Sequence, residues 1–115
     1  MRLKQFIRGK VFRTYSQYFE KKRKDLFFKY MEPKPGNRVL DLGGNDGSRI
    51  AKLFSDGKNE YQIYVADISV TALETAQKKY GFNTVLLDEN GKIPFPDDYF
   101  DITFCNSVIE HVTVN

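Results

Sequence analysis

Apolar positions change their period along this chain, and the change falls near residue 36. In "YFEKKRKDLFFKYM", Phe19, Leu26, Phe27, Tyr30 and Met31 recur at helical spacing, with Lys22 and Arg23 toward the wet side. This spacing predicts an amphipathic helix over residues 16–31. "EPKPGN" should stop it, because proline removes a donor and constrains the residue before it. A shorter helix is expected over residues 3–12. Beyond that point the apolar runs are short and nearly continuous. "NRVLDLG" predicts a strand over Arg38–Leu42. "SRIAKLFSDG" predicts a helix with Ile50, Ala51, Leu53 and Phe54 inward and Gly57 as its cap. "YQIYVAD" reads as a second strand. "SVTALETAQKKYG" reads as a helix with Leu73, Ala76 and Tyr80 on one face, Ser69 capping its start and Gly81 ending it. "NTVLL" is a third strand, "ENGKIPFPDDY" a loop broken by glycine and proline, and "FDITFCN" a fourth strand. "SVIEHV" begins a turn or helix.

Strands alternating with helices predict an α/β layer, and nearly unbroken apolar strands predict parallel pairing with both faces covered. Residues 1–35 then form an N-terminal helical segment and residues 36–115 a partial α/β domain. In a doubly wound sheet the fourth strand would have one neighbour and a bare apolar flank, which is a liability. A second copy of the chain, or a C-terminal half of the same domain, is expected to cover it.

Length and composition narrow the class. With 115 residues there is room for one ordinary domain. Hydrophobic content of 41% against 29% charged places it among soluble globular proteins. A net charge of +3 is too mild to imply nucleic acid. The run "EKKRKD" reads as a solvated helix face, and an RNA-facing role is not favoured. Cys105 is the single cysteine, so no internal disulfide forms, which suits a reducing interior. In a strand its default is a small buried hydrophobe. No apolar window is long enough to span a membrane. The basic opening "MRLKQFIRGKVF" lacks a signal core and cleavage site. A cytoplasmic protein is therefore expected. One histidine and one cysteine give no metal site.

The candidate chemistry lies in "RVLDLGGNDGSRIAKLF". Gly43, Gly44 and Gly47 fall between the first strand of the α/β portion and its helix, at a carboxyl edge where open α/β sheets bind ligands. Asn45 stands among them because asparagine best tolerates the left-handed region. No Gly-Lys-Ser/Thr follows, so this is not a phosphate-binding P-loop. The glycine spacing does not match the dinucleotide G-x-G-x-x-G, and Asp46 would repel a pyrophosphate. Asp41 before the bend can accept backbone N–H groups or face a ligand cation. About twenty residues on, Asp67 can accept both hydroxyls of a ribose or cap the next helix in competition with Ser69. Ile68 could press on a base. Asp88 ends the third strand at the same edge; it adds to a negative rim suited to a cation or is ordinarily solvated. Asp97 and Asp98 read as turn residues, and Asp101 as a local cap or pair.

The segments "VLDLGGNDG", "YVADIS" and "LLDENGKIPFPDDYFDITFCNSVIEHV" resemble, in order and spacing, the motifs of class I S-adenosylmethionine-dependent methyltransferases of the small-molecule type. The resemblance spans residues 38–112. It implies a Rossmann-like methyltransferase sheet with helices on both faces, incomplete on its C-terminal side. It implies S-adenosylmethionine as cofactor and a small-molecule acceptor, with this segment supplying the cofactor-binding half. By the same resemblance Asp41, Gly43 and Gly47 frame the methionine part, Gly44 belongs to the cofactor-binding set, and Asn45, also in that set, stands where the family has its middle glycine. Asp67 matches the residue holding the ribose diol, and Ile68 the adenine-packing position. Asp88, with Glu89 beside it, matches the residue near the adenine amino group, and Asn106 lies where backbone approaches the methionine. Ser107, Glu110 and His111 continue a family-like segment that is architectural or lines the pocket. Catalysis by His111 is not favoured, because methyl transfer from a sulfonium can draw much of its rate from alignment. No catalytic residue is assigned. Tyr15, Tyr18 and Phe19 could close over the cofactor or shape the acceptor site, although core packing is favoured for Phe19. The alternatives are a non-catalytic scaffold or pairing domain and an NAD-binding domain.

Overall fold

In a computed structural model, residues 10–13, 20–54, 60–90 and 92–105 are described. The elements are β1 (Lys10–Arg13), α1 (Glu20–Met31), β2 (Arg38–Leu42), α2 (Ser48–Leu53), β3 (Gln62–Asp67), α3 (Val70–Tyr80), β4 (Asn83–Leu86) and β5 (Ile102–Cys105). The five strands make one sheet in the order β1-β5-β2-β3-β4, and every pairing is parallel.

This order sets the site. From β2 the chain steps outward through α2 to β3 and through α3 to β4. It then returns to lay β5 on the other side of β2. The reversal at β2 is a topological switch point, and the crevice at such a point opens at the carboxyl ends of the strands. The bend 43–47 lies there.

Alternation along the strands divides the core. Val39, Ile63, Val65, Ile102 and Phe104 face one way and pack with Phe27 and Met31 of α1, Ile50 and Leu53 of α2, and Leu73 and Ala76 of α3. Leu40, Leu42, Ala66, Val85 and Cys105 face the other way. Among the described residues all three helices cover the first face, so the expectation of helices on both faces is met on one side only. The right-handed crossovers β2–α2–β3 and β3–α3–β4 advance in the same direction, which places both helices together. The return to β5 crosses the second face as an irregular segment. Its bulk is aromatic: Phe100 is buried, Phe95 and Tyr99 are partly buried, and Tyr64 meets Phe100 edge-on at 5.1 Å. Asp101 anchors the start of β5 to β2. Its Oδ2 accepts the Arg38 N–H at 2.8 Å, and its own N–H donates to the Arg38 carbonyl at 2.9 Å. The pairing expected of Asp101 was local, whereas its partner lies 63 residues away on the neighbouring strand.

Two expectations are corrected. The helix over residues 3–12 does not hold at its end: Lys10–Arg13 is a strand, paired in register with Ile102–Cys105. The flank of the fourth predicted strand is therefore not bare. The unpaired N–H and C=O groups of β5 and its apolar character favour a strand there, and β1 of the same chain supplies it. The second correction concerns α1. Phe27 and Met31 are buried, but Leu26 is 44% and Tyr30 62% exposed, so the inward stripe is narrower than the spacing suggested. Residues 16–19 of the predicted helix, Phe19 included, lie outside the described residues, as do the proposed cap Gly57 and residues 106–115. The remaining caps are as expected. Ser69 accepts the Ala72 N–H, and Gly81 closes α3 in the left-handed conformation. Among the described residues no helix is long and apolar enough to cross a membrane.

Candidate functional site

β2 places Asp41 one residue before its end, in register with Val65 on one side and Phe104 on the other. The side chain therefore points to the helix-covered face and is fully buried. Neither carboxylate oxygen has a hydrogen-bond partner. The expectation that it accepts backbone N–H groups is not met. Burial pushes the Asp41 carboxyl up to about 8; the Arg49 charge opposes the rise and the Asp67 charge adds to it. Arg49 was not singled out from the sequence. Its place in the first turn of α2, directly after the bend, was the available signal.

The bend is shaped by three left-handed residues, Gly43 at φ 74°, Asn45 at φ 55° and Gly47 at φ 79°. Asn45 fills the conformation that glycine would otherwise take, as its position suggested. Gly44 is required for a different reason: a Cβ there would overlap the Asp41 carboxylate. The Gly43 and Gly44 N–H groups donate to the Ala66 carbonyl at 2.8 and 3.2 Å, fastening the bend to β3. Asp46 turns back on the chain and accepts the Ser48 N–H at 3.0 Å, and this bond draws its carboxyl below the usual range.

Asp67 meets the bend from the end of β3. Its Oδ2 accepts the Asn45 N–H at 2.8 Å and its Oδ1 the Ser69 N–H at 3.0 Å. The choice between Asp67 and Ser69 as helix cap is thus decided for Ser69. A carboxylate has about four lone-pair sites, so Asp67 keeps acceptor capacity. Ile68 follows and is 73% exposed, an apolar side chain turned to solvent beside the rim. The Leu87 N–H donates to the Asp67 carbonyl at 2.9 Å, which brings the end of β4 alongside. Asp88 is exposed, and its Oδ1 accepts the Asn90 and Lys92 N–H groups, each at 3.0 Å. Glu89 is exposed next to it. The structure therefore brings Asp41, the bend, Asp67 and Ile68 together and sets Asp88 on the neighbouring strand end. Asp41 lies deeper than the other two acids, beneath Gly44, so the three are not one level rim. Asn106 lies outside the described residues. No cluster of metal-ligating side chains occurs among the described residues.

The sequence model of the family described as "Methyltransferase domain" matches residues 40–115. A ubiquinone/menaquinone biosynthesis C-methyltransferase UbiE of Vibrio campbellii is 34% identical over 86 residues, covering 70% of this chain and 33% of the relative. The enzyme of that name from Cupriavidus taiwanensis is 36% identical over 74 residues, covering 60% and 30%. The chain spans about a third of the length of these curated relatives. Among solved structures, the YcgJ protein of Bacillus subtilis superposes with TM-score 0.57 at 28% identity, over 79% of this chain and 40% of that one. The CurJ carbon methyltransferase gives TM-score 0.65 at 20% identity, over 87% and 31%, a likeness of fold.

Proposed function

This chain belongs to the methyltransferase-domain family, and we propose that its bend and the ends of β3 and β4 bind S-adenosylmethionine for methyl transfer to a small-molecule acceptor. The observation that carries the reading is the junction of the bend with Asp67: a bend with glycine at 43, 44 and 47, held against a carboxylate with acceptor capacity to spare.

The residues fit that ligand. Asp67 has lone pairs left for the two ribose hydroxyls. Ile68 offers an apolar surface to a purine. The Asp88 carboxylate, with Oδ2 outside its local turn, can accept from an exocyclic amino group. Asp41 is a buried acid without partners, beneath the loop where the methionine end would lie. Bound S-adenosylmethionine supplies an electrophilic methyl group on a sulfonium. The chain's own part is to hold and orient, and correct alignment can supply much of the rate of such a displacement. The relatives named as C-methyltransferases favour carbon as the acceptor atom. The glycine spacing disfavours a dinucleotide. A cytoplasmic setting accords with the single, buried Cys105.

Calorimetry with S-adenosylmethionine and S-adenosylhomocysteine tests the reading. Saturable binding to the folded chain, with no competition from NAD, is expected. A folded sample that binds neither at millimolar ligand would overturn it.

A further inference from the structure

Asp41 differs from every other acid described in the chain. It has no solvent exposure, and both its oxygens lack hydrogen-bond partners. Gly44 lies directly over it, close enough that even a methyl group there would strike the carboxylate. A charged carboxylate without hydrogen bonds in such a place is strongly disfavoured, and the group takes up a proton instead.

We propose that Asp41 carries a proton in the ligand-free domain, and that seating a cationic ligand over the bend drives that proton into solution. The inference rests on the reading of the bend as an S-adenosylmethionine site, whose amino-acid end bears an ammonium beside the sulfonium. The Asp41 O–H bond breaks, the electron pair stays on the carboxylate, and the proton passes to buffer. The new anion then lies beneath the ligand's positive charge, with the Gly44 backbone between them.

The surroundings set the balance. Arg49 from α2 favours the anion, and Asp67 from the end of β3 opposes it. Arg49 acts as a charge without a hydrogen bond to Asp41, so it only partly offsets burial, and the acid remains raised to about 8. Asp46 of the bend is turned to Ser48. β5 presents Phe104 in register with Asp41, while the Cys105 thiol belongs to the opposite face. Among the described residues the charges that act on Asp41 are those of Arg49 and Asp67. A ligand cation seated over the bend adds its charge to that of Arg49.

Two measurements test this. Binding heats of S-adenosylmethionine, taken in buffers of different ionisation enthalpy, count the protons released. Proton release is expected at pH 7, and it should fall as the pH is raised past the folded value near 8. Asp41→Asn should release none beyond what the ligand itself loses. Saturable binding whose heat at pH 7 is independent of buffer would overturn the proposal. Absence of binding would instead count against the ligand assignment. The second measurement tests the proton on Asp41, without which nothing can be released, independently of any ligand: infrared difference spectra of the ligand-free chain between pH 7 and pH 9.5. A buried carboxylic-acid band at pH 7, lost at pH 9.5 and missing in Asp41→Asn, supports it. A wild-type spectrum without that band overturns it.

Discussion

Asp67 Oδ2 accepts the Asn45 backbone N–H at 2.8 Å, joining two residues 22 apart in the sequence. The bond ties the crown of the bend to the end of β3. It also fixes the carboxylate, whose second oxygen holds the Ser69 N–H at 3.0 Å. Asp67 is thus pre-positioned by backbone donors alone, and a ligand need not spend binding energy to order it.

Asp67→Ala removes both a structural acceptor and the proposed ribose contact. Affinity for S-adenosylhomocysteine should fall by about 1.5–3 kcal/mol, the range for hydrogen bonds to a charged group. Asp67→Asn keeps an acceptor for one N–H and should keep more of the stability than of the affinity. Calorimetry and urea unfolding separate the two. Unchanged affinity in the alanine variant would reject the diol assignment.

Asn45 sits at φ 55°, where most side chains pay a steric cost. Asn45→Ala should lower stability by about 1 kcal/mol. Asn45→Gly should stay within about 0.5 kcal/mol of wild type, because relief of strain is offset by a freer unfolded chain. Urea midpoints check this ordering. A fall with glycine as large as with alanine would show that the Asn45 side chain, rather than its backbone shape, supports the bend.

Much of this architecture was legible in the sequence, because local signals agreed. β2 was read at its observed bounds, Arg38–Leu42, from an apolar run ended by glycines. Ser69 and Gly81 marked the ends of α3 because capping chemistry is local. What escaped was tertiary. Lys10–Arg13 carries no strong strand signal, and it becomes a strand because β5 has an edge to fill. Leu26 and Tyr30 fit a helical stripe but miss the core, which takes Phe27 and Met31 fully and Phe28 in part. The depth of Asp41 was hidden too. Period-two alternation gives its face, but its isolation from every donor depends on how the bend folds over it.

Gly44→Ala should be costly, because the new methyl meets the Asp41 carboxyl, which is wedged in the core and has little room to move. The expected loss is about 1–3 kcal/mol, typical of overpacking. In the Asp41→Ala background the same change should cost markedly less. A double-mutant cycle in urea would then show coupling of about 1 kcal/mol or more. Additive losses would mean that Gly44 is constrained by something other than Asp41.

Stability should also respond to pH through Asp41. The carboxyl binds its proton more tightly folded than unfolded, with its pKa raised from 3.8 to about 8 by burial. Its contribution is therefore fully present below about pH 4 and is lost as pH rises through the folded value near 8. Across that window each pH unit costs up to about 1.4 kcal/mol for a single such group. Asn is neutral throughout and nearly the same shape, so Asp41→Asn removes this one dependence and leaves the other titrations in place. The stability difference between variant and wild type should accordingly grow in the variant's favour from pH 5 to pH 8 and level off above it. Urea unfolding of both proteins across that range measures the difference directly. A constant difference would mean that Asp41 is already ionised at pH 5, with a partner that compensates its burial.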